Sequence, residues 1–237
     1  KKQIIMANKN QQRVYSNNSL SNSETFFDKY KKAIIVAVLA IIVIIAGFFI
    51  YKAYVGGPRE EKAATELAKG QVYFNAEQFD KALNGDGATF TGLLNIINNY
   101  GGTDAANLAN LYAGLSYANL NKWNDAVKYL DEYSPSNDAM VSPAAVAALG
   151  NAYAHVNQLD KAISSLNKAA DMADSEGQDG VNNSLSPTFR LQAAILLESQ
   201  GKKQDALKIY QDIKTKYVNS PLVQSQEIDK YIERASR

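Results

Sequence analysis

The side chains that could run a reaction are scarce in this sequence and poorly placed for one. His155 is the sole histidine, and cysteine is absent. A general base works only within hydrogen-bond reach of the proton it takes, and a catalytic histidine is oriented in turn by a third group. His155 instead lies two residues after Tyr153, toward the end of a helix, with no second histidine to share a metal. It reads as a solvated or groove-lining side chain. Without cysteine there are no disulfides, thiolate metal sites, thiol nucleophiles or cysteine-linked lipids, a composition compatible with an oxidising compartment. The acidic stretch Asp171, Asp174, Glu176, Asp179 invites a calcium reading. A calcium loop takes ligands from alternate positions and closes with a glutamate; this stretch does neither, and a solvated loop is expected. No glycine-rich phosphate loop precedes a strand, and no Gly-x-Ser-x-Gly elbow occurs. The expectation is a protein that is not an enzyme and that holds neither cofactor nor metal.

What the sequence does carry is a period. Ala82, Ala126, Ala162 and Ala206 each lie 12 residues after a small residue, Gly70, Gly114, Gly150 and Ala194. In three of the four units a tyrosine, Tyr73, Tyr117 or Tyr153, stands nine residues before the alanine. Small residues at these landmarks let two antiparallel helices approach closely, and large residues beside them fill the space between hairpins. Short polar stretches such as Asn157-Gln158 and Gly201-Lys202-Lys203 turn the chain. Ser142-Pro143 and Ser186-Pro187 fall where a unit's first helix should begin. Serine would accept an orphan amide as N-cap, and proline would lack one at the first helical position. Ser220-Pro221 follows Pro187 by 34 residues and opens an amphipathic last helix, Leu222 to Ala235, suited to closing an open end.

This pattern resembles the tetratricopeptide repeat, whose Leu-Gly, Tyr, Ala, Phe, Ala and Pro landmarks run at these offsets over about 34 residues. The resemblance implies an all-α chain: a TPR-like α-solenoid of about four helical hairpins over residues 63–237, with a C-terminal capping helix. The alanine spacings of 44, 36 and 44 residues depart from the family's period. Asn84-Gly85-Asp86-Gly87 should break the second helix of the first unit, with a new helix from Phe90 to Tyr100 burying Leu93, Leu94, Ile96 and Ile97. The second excess, Ser175 to Ser186, reads as a long loop. Both insertions read as tolerated surface loops, with partner-specific roles left open.

Ahead of the repeats, Ala33 to Ile50 is an uncharged apolar run of 18 residues. At ~1.5 Å per residue it is about 27 Å long, close to the ~30 Å hydrocarbon thickness of a bilayer. Phe26, Phe27, Tyr30, Lys31 and Lys32 precede it, and Tyr51, Lys52 and Tyr54 follow, as interfacial anchors do. Residues 1–32 hold seven Lys or Arg against two acidic residues; the remainder holds 18 against 22. The basic side should stay in the cytoplasm. The expected organisation is a partly disordered cytoplasmic tail (1–32), a transmembrane signal anchor (33–54) and a linker (55–62) with a hinge at Gly56-Gly57-Pro58. The repeats would then lie in the periplasm, and the protein would be single-pass in the inner membrane. Met6 reads as the true initiator. The mildly acidic remainder argues against nucleic acid as a partner.

Stacked hairpins line an inner surface with the first helix of each unit, and partners bind there. The residues expected on it are Leu108, Leu111, Leu115 and Asn119 from the second unit and Ala147, Asn151 and His155 from the third. Leu191, Ile195 and Glu198 complete the set from the fourth. They would suit an apolar helix or extended peptide; the apolar ones equally suit packing against neighbouring hairpins. Chaperone-docking relatives clamp a carboxylate with groove lysines, but the matching positions here are Leu111 and Ala147. One anchor followed by periplasmic repeats is similar to the ancillary subunit of the bacterial Sec translocon. That resemblance implies a scaffold near the translocon or periplasmic chaperones. Lys216 to Pro221 is also similar to repeats of outer-membrane assembly lipoproteins, which implies the alternative of an adaptor for outer-membrane or cell-wall assembly.

Overall fold

The computed structural model describes residues 30–237; the expected cytoplasmic tail up to Lys29 and the initiator Met6 lie outside the described residues. Residues 1–58 and 59–237 form two compact units. In the first, α1 covers residues 30–51. It belongs to a helix apolar and long enough to cross a membrane, and none of its most apolar 18-residue window is buried. Uniform exposure of Ile35, Val43, Ile44 and Phe49 is what a helix apolar on every face shows when no protein packs on it. A π-turn, Lys52–Gly56, follows, and the Gly57 amide bonds to the Lys52 carbonyl five residues back. Pro58 has no amide and its ring would crowd the carbonyl of Tyr54, so the wider turn just before it accommodates the proline. The expected hinge is therefore helical.

The second unit is a stack of helices. These are α2 (Gly57–Asn75), α3 (Phe79–Asn84), α4 (Leu93–Asn99), α5 (Asp104–Asn119), α6 (Trp123–Asp131), α7 (Val141–His155), α8 (Leu159–Ser175), α9 (Ser186–Ser199), α10 (Lys203–Lys216), α11 (Pro221–Gln224) and α12 (Glu227–Ser236). Helices α5/α6, α7/α8 and α9/α10 are antiparallel hairpins; α6 packs on α7, α8 on α9, and α10 on α12. The four landmark alanines are all 0% exposed. A Cβ on Gly114 would stand 2.5 Å from Leu130 Cγ, and one on Gly150 would stand 2.9 Å from Leu166 Cγ. Each leucine is thus seated where the opposite helix has no side chain. Ala194 and Tyr210, both 0% exposed, take the same positions in the fourth hairpin.

The first unit reaches this packing by another route. Its second helix ends at Asn84, as the glycines dictate, and the leucine position is occupied by Asp86. That carboxylate accepts the amides of Ala88, Thr89 and Phe90 and the hydroxyls of Thr89 and Tyr73. The loop so knotted returns the chain, and a Cβ on Gly70 would meet Leu93 at 2.8 Å and Phe90 at 3.0 Å. Helix α4 therefore completes the broken hairpin. It is shorter than expected, with Leu93 and Ile96 buried and Leu94 and Ile97 half-buried.

All four turns between paired helices are one motif. The residue five before each alanine, Glu77, Asn121, Asn157 or Gly201, has φ between 57° and 78°. The next amide (Gln78, Lys122, Gln158, Lys202) bonds back to the carbonyl of Tyr73, Tyr117, Tyr153 or Leu197 at 2.9 Å in every case. This is the Schellman ending of a helix. The start signals fared less uniformly. Ser220 caps α11 through the Val223 amide, but α7 begins one residue before Ser142, and Asp138 accepts its first amides. Ser186 donates to the Ala170 carbonyl instead of capping. Both serines are 0% exposed, so their hydroxyls serve neighbouring segments. The last helix is split by Gln226 in the left-handed region, where the sequence suggested one continuous run.

The left-handed turns make a matched pair of expectations. Glu77→Gly should stabilise the fold by about 0.5–1 kcal/mol, since a side chain there costs ~1–2 kcal/mol and glycine loses part of that gain to unfolded-state entropy. Gly201→Ala should destabilise by about 1 kcal/mol. Thermal unfolding of the full chain, followed by circular dichroism, should show shifts of about 2–4 °C in opposite directions.

Candidate protein-binding face

In a solenoid of stacked hairpins the first helices, here α2, α5, α7 and α9, are the ones that line the inner face. Leu111, Ala147 and Leu191 are buried there, at 7%, 3% and 8% exposure. Leu108 and Leu115 are half-buried against the cluster formed by Leu111, Ala126 and Leu130. These five chiefly hold hairpin to hairpin, which is the packing role the sequence left open. Asn119, Asn151, His155 and Ile195 are exposed. Asn119 donates to the carbonyl of Leu115 in its own helix.

His155 lies flat on the ring of Trp123, centroids 3.6 Å apart and planes within 1°. The chain's one histidine and one tryptophan thus form a platform where the second and third hairpins meet. Glu198 is held from two sides. It accepts the Tyr210 hydroxyl at 2.6 Å and is bridged by the Arg234 guanidinium from α12. The Arg234 contact holds its carboxyl below the usual range, and burial followed by the Glu198 contact pushes the Tyr210 hydroxyl up. Glu198 is thus a tie between the fourth hairpin and the closing helix, and less a groove contact than its position suggested.

The acidic stretch corrects a second expectation. Asp174 is 6% exposed and is no part of a solvated loop. Its carboxylate accepts the Tyr217 hydroxyl at 2.6 Å, the Lys216 ammonium at 2.6 Å and the Asn182 amide at 3.0 Å. Arg190 reaches it at 3.4 Å while donating to Tyr217 at 2.7 Å and to Asp171 at 2.7 Å. Burial by itself would raise the Asp174 pKa; the contacts from Lys216 and Tyr217 outweigh it and bring the carboxyl to about 2. The cluster binds the insertion before α9 to the third and fourth hairpins. Among the described residues no group of three or more His, Cys, Asp or Glu could hold a metal ion. Sequence reasoning missed the Trp123 platform, Arg234 and this cluster. Only Trp123, the lone tryptophan at a helix start, carried a signal that could have found them.

A tetratricopeptide-repeat family model matches residues 108–134 and 190–220, the two segments that hold the second and fourth landmark alanines. Both segments match the tetratricopeptide repeat. Two crystal structures of nearly identical TPR-like repeats of a kinesin light chain from Podosopora anserina are similar in fold. Each has a TM-score of 0.52 and 12% identity over 75% of this chain and 94% of the other. One of the two is a single-substitution variant of the other. No curated protein sequence matches. The fold is thus a TPR-like solenoid, the architecture of a protein–protein interaction scaffold.

The Asp174 carboxyl fixes a pH dependence. Its folded pKa, about 2, lies below its ordinary 3.8, so its contribution is fully present above about pH 4 and is lost as pH falls toward 2. The shift corresponds to about 2 kcal/mol. Asp174→Asn should therefore lower stability by about that amount at neutral pH. It should also flatten the acid limb between pH 4 and 2, as read by urea unfolding at a series of pH values.

Proposed function

We propose that this chain is a membrane-tethered scaffold holding protein partners on the inner face of its repeats outside the cytoplasm, near the Sec translocon or periplasmic chaperones. The observation that carries the reading is the surface left over once internal contacts are assigned. Asn119, Asn151, His155 and Ile195 remain exposed on successive first helices, a neutral mixture of amides, one imidazole and one aliphatic chain. Large rigid aromatics carry much of the energy at interfaces, and the Trp123–His155 platform borders this strip. The tether is supported by α1, whose most apolar 18-residue window has none of its residues buried, and its direction by the excess of Lys and Arg over acidic residues in residues 1–32. The architecture of one anchor followed by repeats is what suggests the translocon. The similarity of Lys216 to Pro221 to outer-membrane assembly repeats supports an envelope-assembly adaptor as the second reading.

Two measurements separate these readings. A reporter active only outside the cytoplasm, fused after Arg237, should be active; activity of a cytosol-only reporter instead would overturn the topology. A photo-crosslinking residue at Asn151 or Ile195 should capture discrete proteins in intact membranes, and one at Lys208, exposed on α10, should not. Translocon or chaperone adducts support the first reading, outer-membrane or peptidoglycan-associated adducts the second, and none at either position argues against an inner-face scaffold.

A further inference from the structure

The layer that follows α6 is incomplete, and the gap it leaves has the chemistry of a binding site. Helix α6 stops at Asp131 after 9 residues, and the chain turns away through Pro135; α8 runs for 17. In the next layer Ala169, Ala170 and Ala173 at the end of α8 are all 0% exposed, so those extra turns are covered. Between α6 and α8 the cover over α7 is thinner: Ala145, Val146 and Tyr153 are still buried, Leu149 is half-buried, and a cleft of ≈ 290 Å³ opens above them. Its floor is apolar, from Leu130, Val146 and Leu149, and its rim is cationic, from Lys161 and Lys168 on α8. Residues 146, 149 and 153 of α7 lie on the opposite side of that helix from 147, 151 and 155, at about 100° per residue. The cleft is therefore on the other side of the solenoid from the proposed inner face.

The charges of the rim are uncommitted. Lys168 has no ion-pair partner among the described residues, and Lys161 stands 5.1 Å over the Tyr153 ring without a carboxylate partner. The one carboxylate at the cleft, Asp131, accepts the Tyr153 hydroxyl at 3.2 Å. Lys161 and Lys168 are seven residues apart on one helix, about 10 Å along its axis. That matches three residues of a chain extended in the polyproline II conformation, about 9.3 Å, in which residues i and i+3 share one side. The apolar floor accommodates one large side chain between them.

We propose that this cleft docks an extended acidic–apolar peptide segment of a partner protein. One large apolar side chain sits on Val146 and Leu149, and carboxylates three residues apart reach Lys161 and Lys168. The inference rests on the scaffold reading but adds a second, separate face to it.

The test uses the full chain in nanodiscs of uncharged lipid and a labelled acetyl-Gly-Glu-Phe-Ser-Glu-Gly-amide peptide, followed by fluorescence anisotropy. Saturable binding with a Kd of about 0.1 mM is expected. It should weaken about fivefold or more when both glutamates become glutamine or the phenylalanine becomes alanine. Lys168→Gln should weaken it similarly and reduce its salt dependence. Ser164→Trp, an exposed change at the mouth of the cleft, should abolish binding with the circular dichroism spectrum unchanged. No saturation at millimolar peptide, equal affinity for the glutamine peptide, or indifference to Lys168→Gln would overturn the proposal. So would self-association that Lys168→Gln removes, which would give the cleft to a second copy. Loss of binding in Ile195→Asp but not in Ser164→Trp would place the peptide on the inner face and overturn the cleft alone. Crosslinks from Asn151 or Ile195 without peptide binding would likewise leave the scaffold standing and remove only this site.

Discussion

The layers of this solenoid depend on one clearance, the space left where a first helix carries no side chain toward its partner (Gly70, Gly114, Gly150) or only the methyl of Ala194. Leu130 and Leu166 occupy the volume that a Cβ on Gly114 or Gly150 would claim. Overpacking a site this tight costs about 1–3 kcal/mol, and the paired helix would have to move outward. Because each second helix also packs on the first helix of the next hairpin, that displacement would pass up the stack. The clearance therefore sets the pairing within a hairpin and also the angle at which the next one is presented. The repeated Schellman ending enforces the same geometry from the turn, fixing how far each chain travels before reversing.

The landmarks were legible because close approach restricts residue type. Only small side chains permit the contact, and only a large one opposite fills it, so the alanine and glycine periodicity exposed the hairpins; Ser220-Pro221 marked the closing helix and Asn84 to Gly87 the break. What stayed hidden depends on partners far apart in sequence. Asp174 reads as one of four acidic residues in a polar stretch. Its burial follows from Tyr217 and Lys216, more than forty residues on, arriving at the same place. Glu198 looked like a groove residue by position, and only Arg234 in the closing helix takes it out of play. Ser142 and Ser186 were chosen for the right reason, a hydroxyl beside a helix start, yet the Ser142 hydroxyl serves the turn just before it, at Asp138 and Ser136, and the Ser186 hydroxyl reaches back to Ala170 in α8.

The two insertions show different solutions to one difficulty. Extra residues in a stack must either leave it or be tied to it, since loose backbone beside a packed layer would leave polar groups unpaired. The first insertion is tied locally. Asp86 gathers three amides and two hydroxyls, and the chain is delivered back in time for Leu93 to occupy the vacant position against Gly70. The second is tied globally, through Asp174 to residues of α9 and α10. Both insertions are therefore anchored to the stack, while the tip of each, residues 87–89 and 178–180, stays on the surface as its composition suggested.

The stack then acquires two unlike faces from a single asymmetry. First helices are long and nearly equal, 16, 15 and 14 residues for α5, α7 and α9, so the inner face is continuous and its exposed side chains form a neutral strip. Second helices are unequal, 9, 17 and 14 residues for α6, α8 and α10, so the outer face is interrupted. The interruption after Asp131 leaves a cleft over α7 in which Leu149 is half-buried, while the helix that bounds it carries Lys161 and Lys168, whose charges no neighbour among the described residues neutralises. The floor residues Leu130 and Val146 are buried in the core and serve the fold, whereas the half-buried Leu149 and the two lysines, whose charges add little to stability, are not accounted for by the folding of the solenoid alone. A segment of partner chain with apolar and acidic side chains would satisfy both at once, and the inner face would remain free for a second protein.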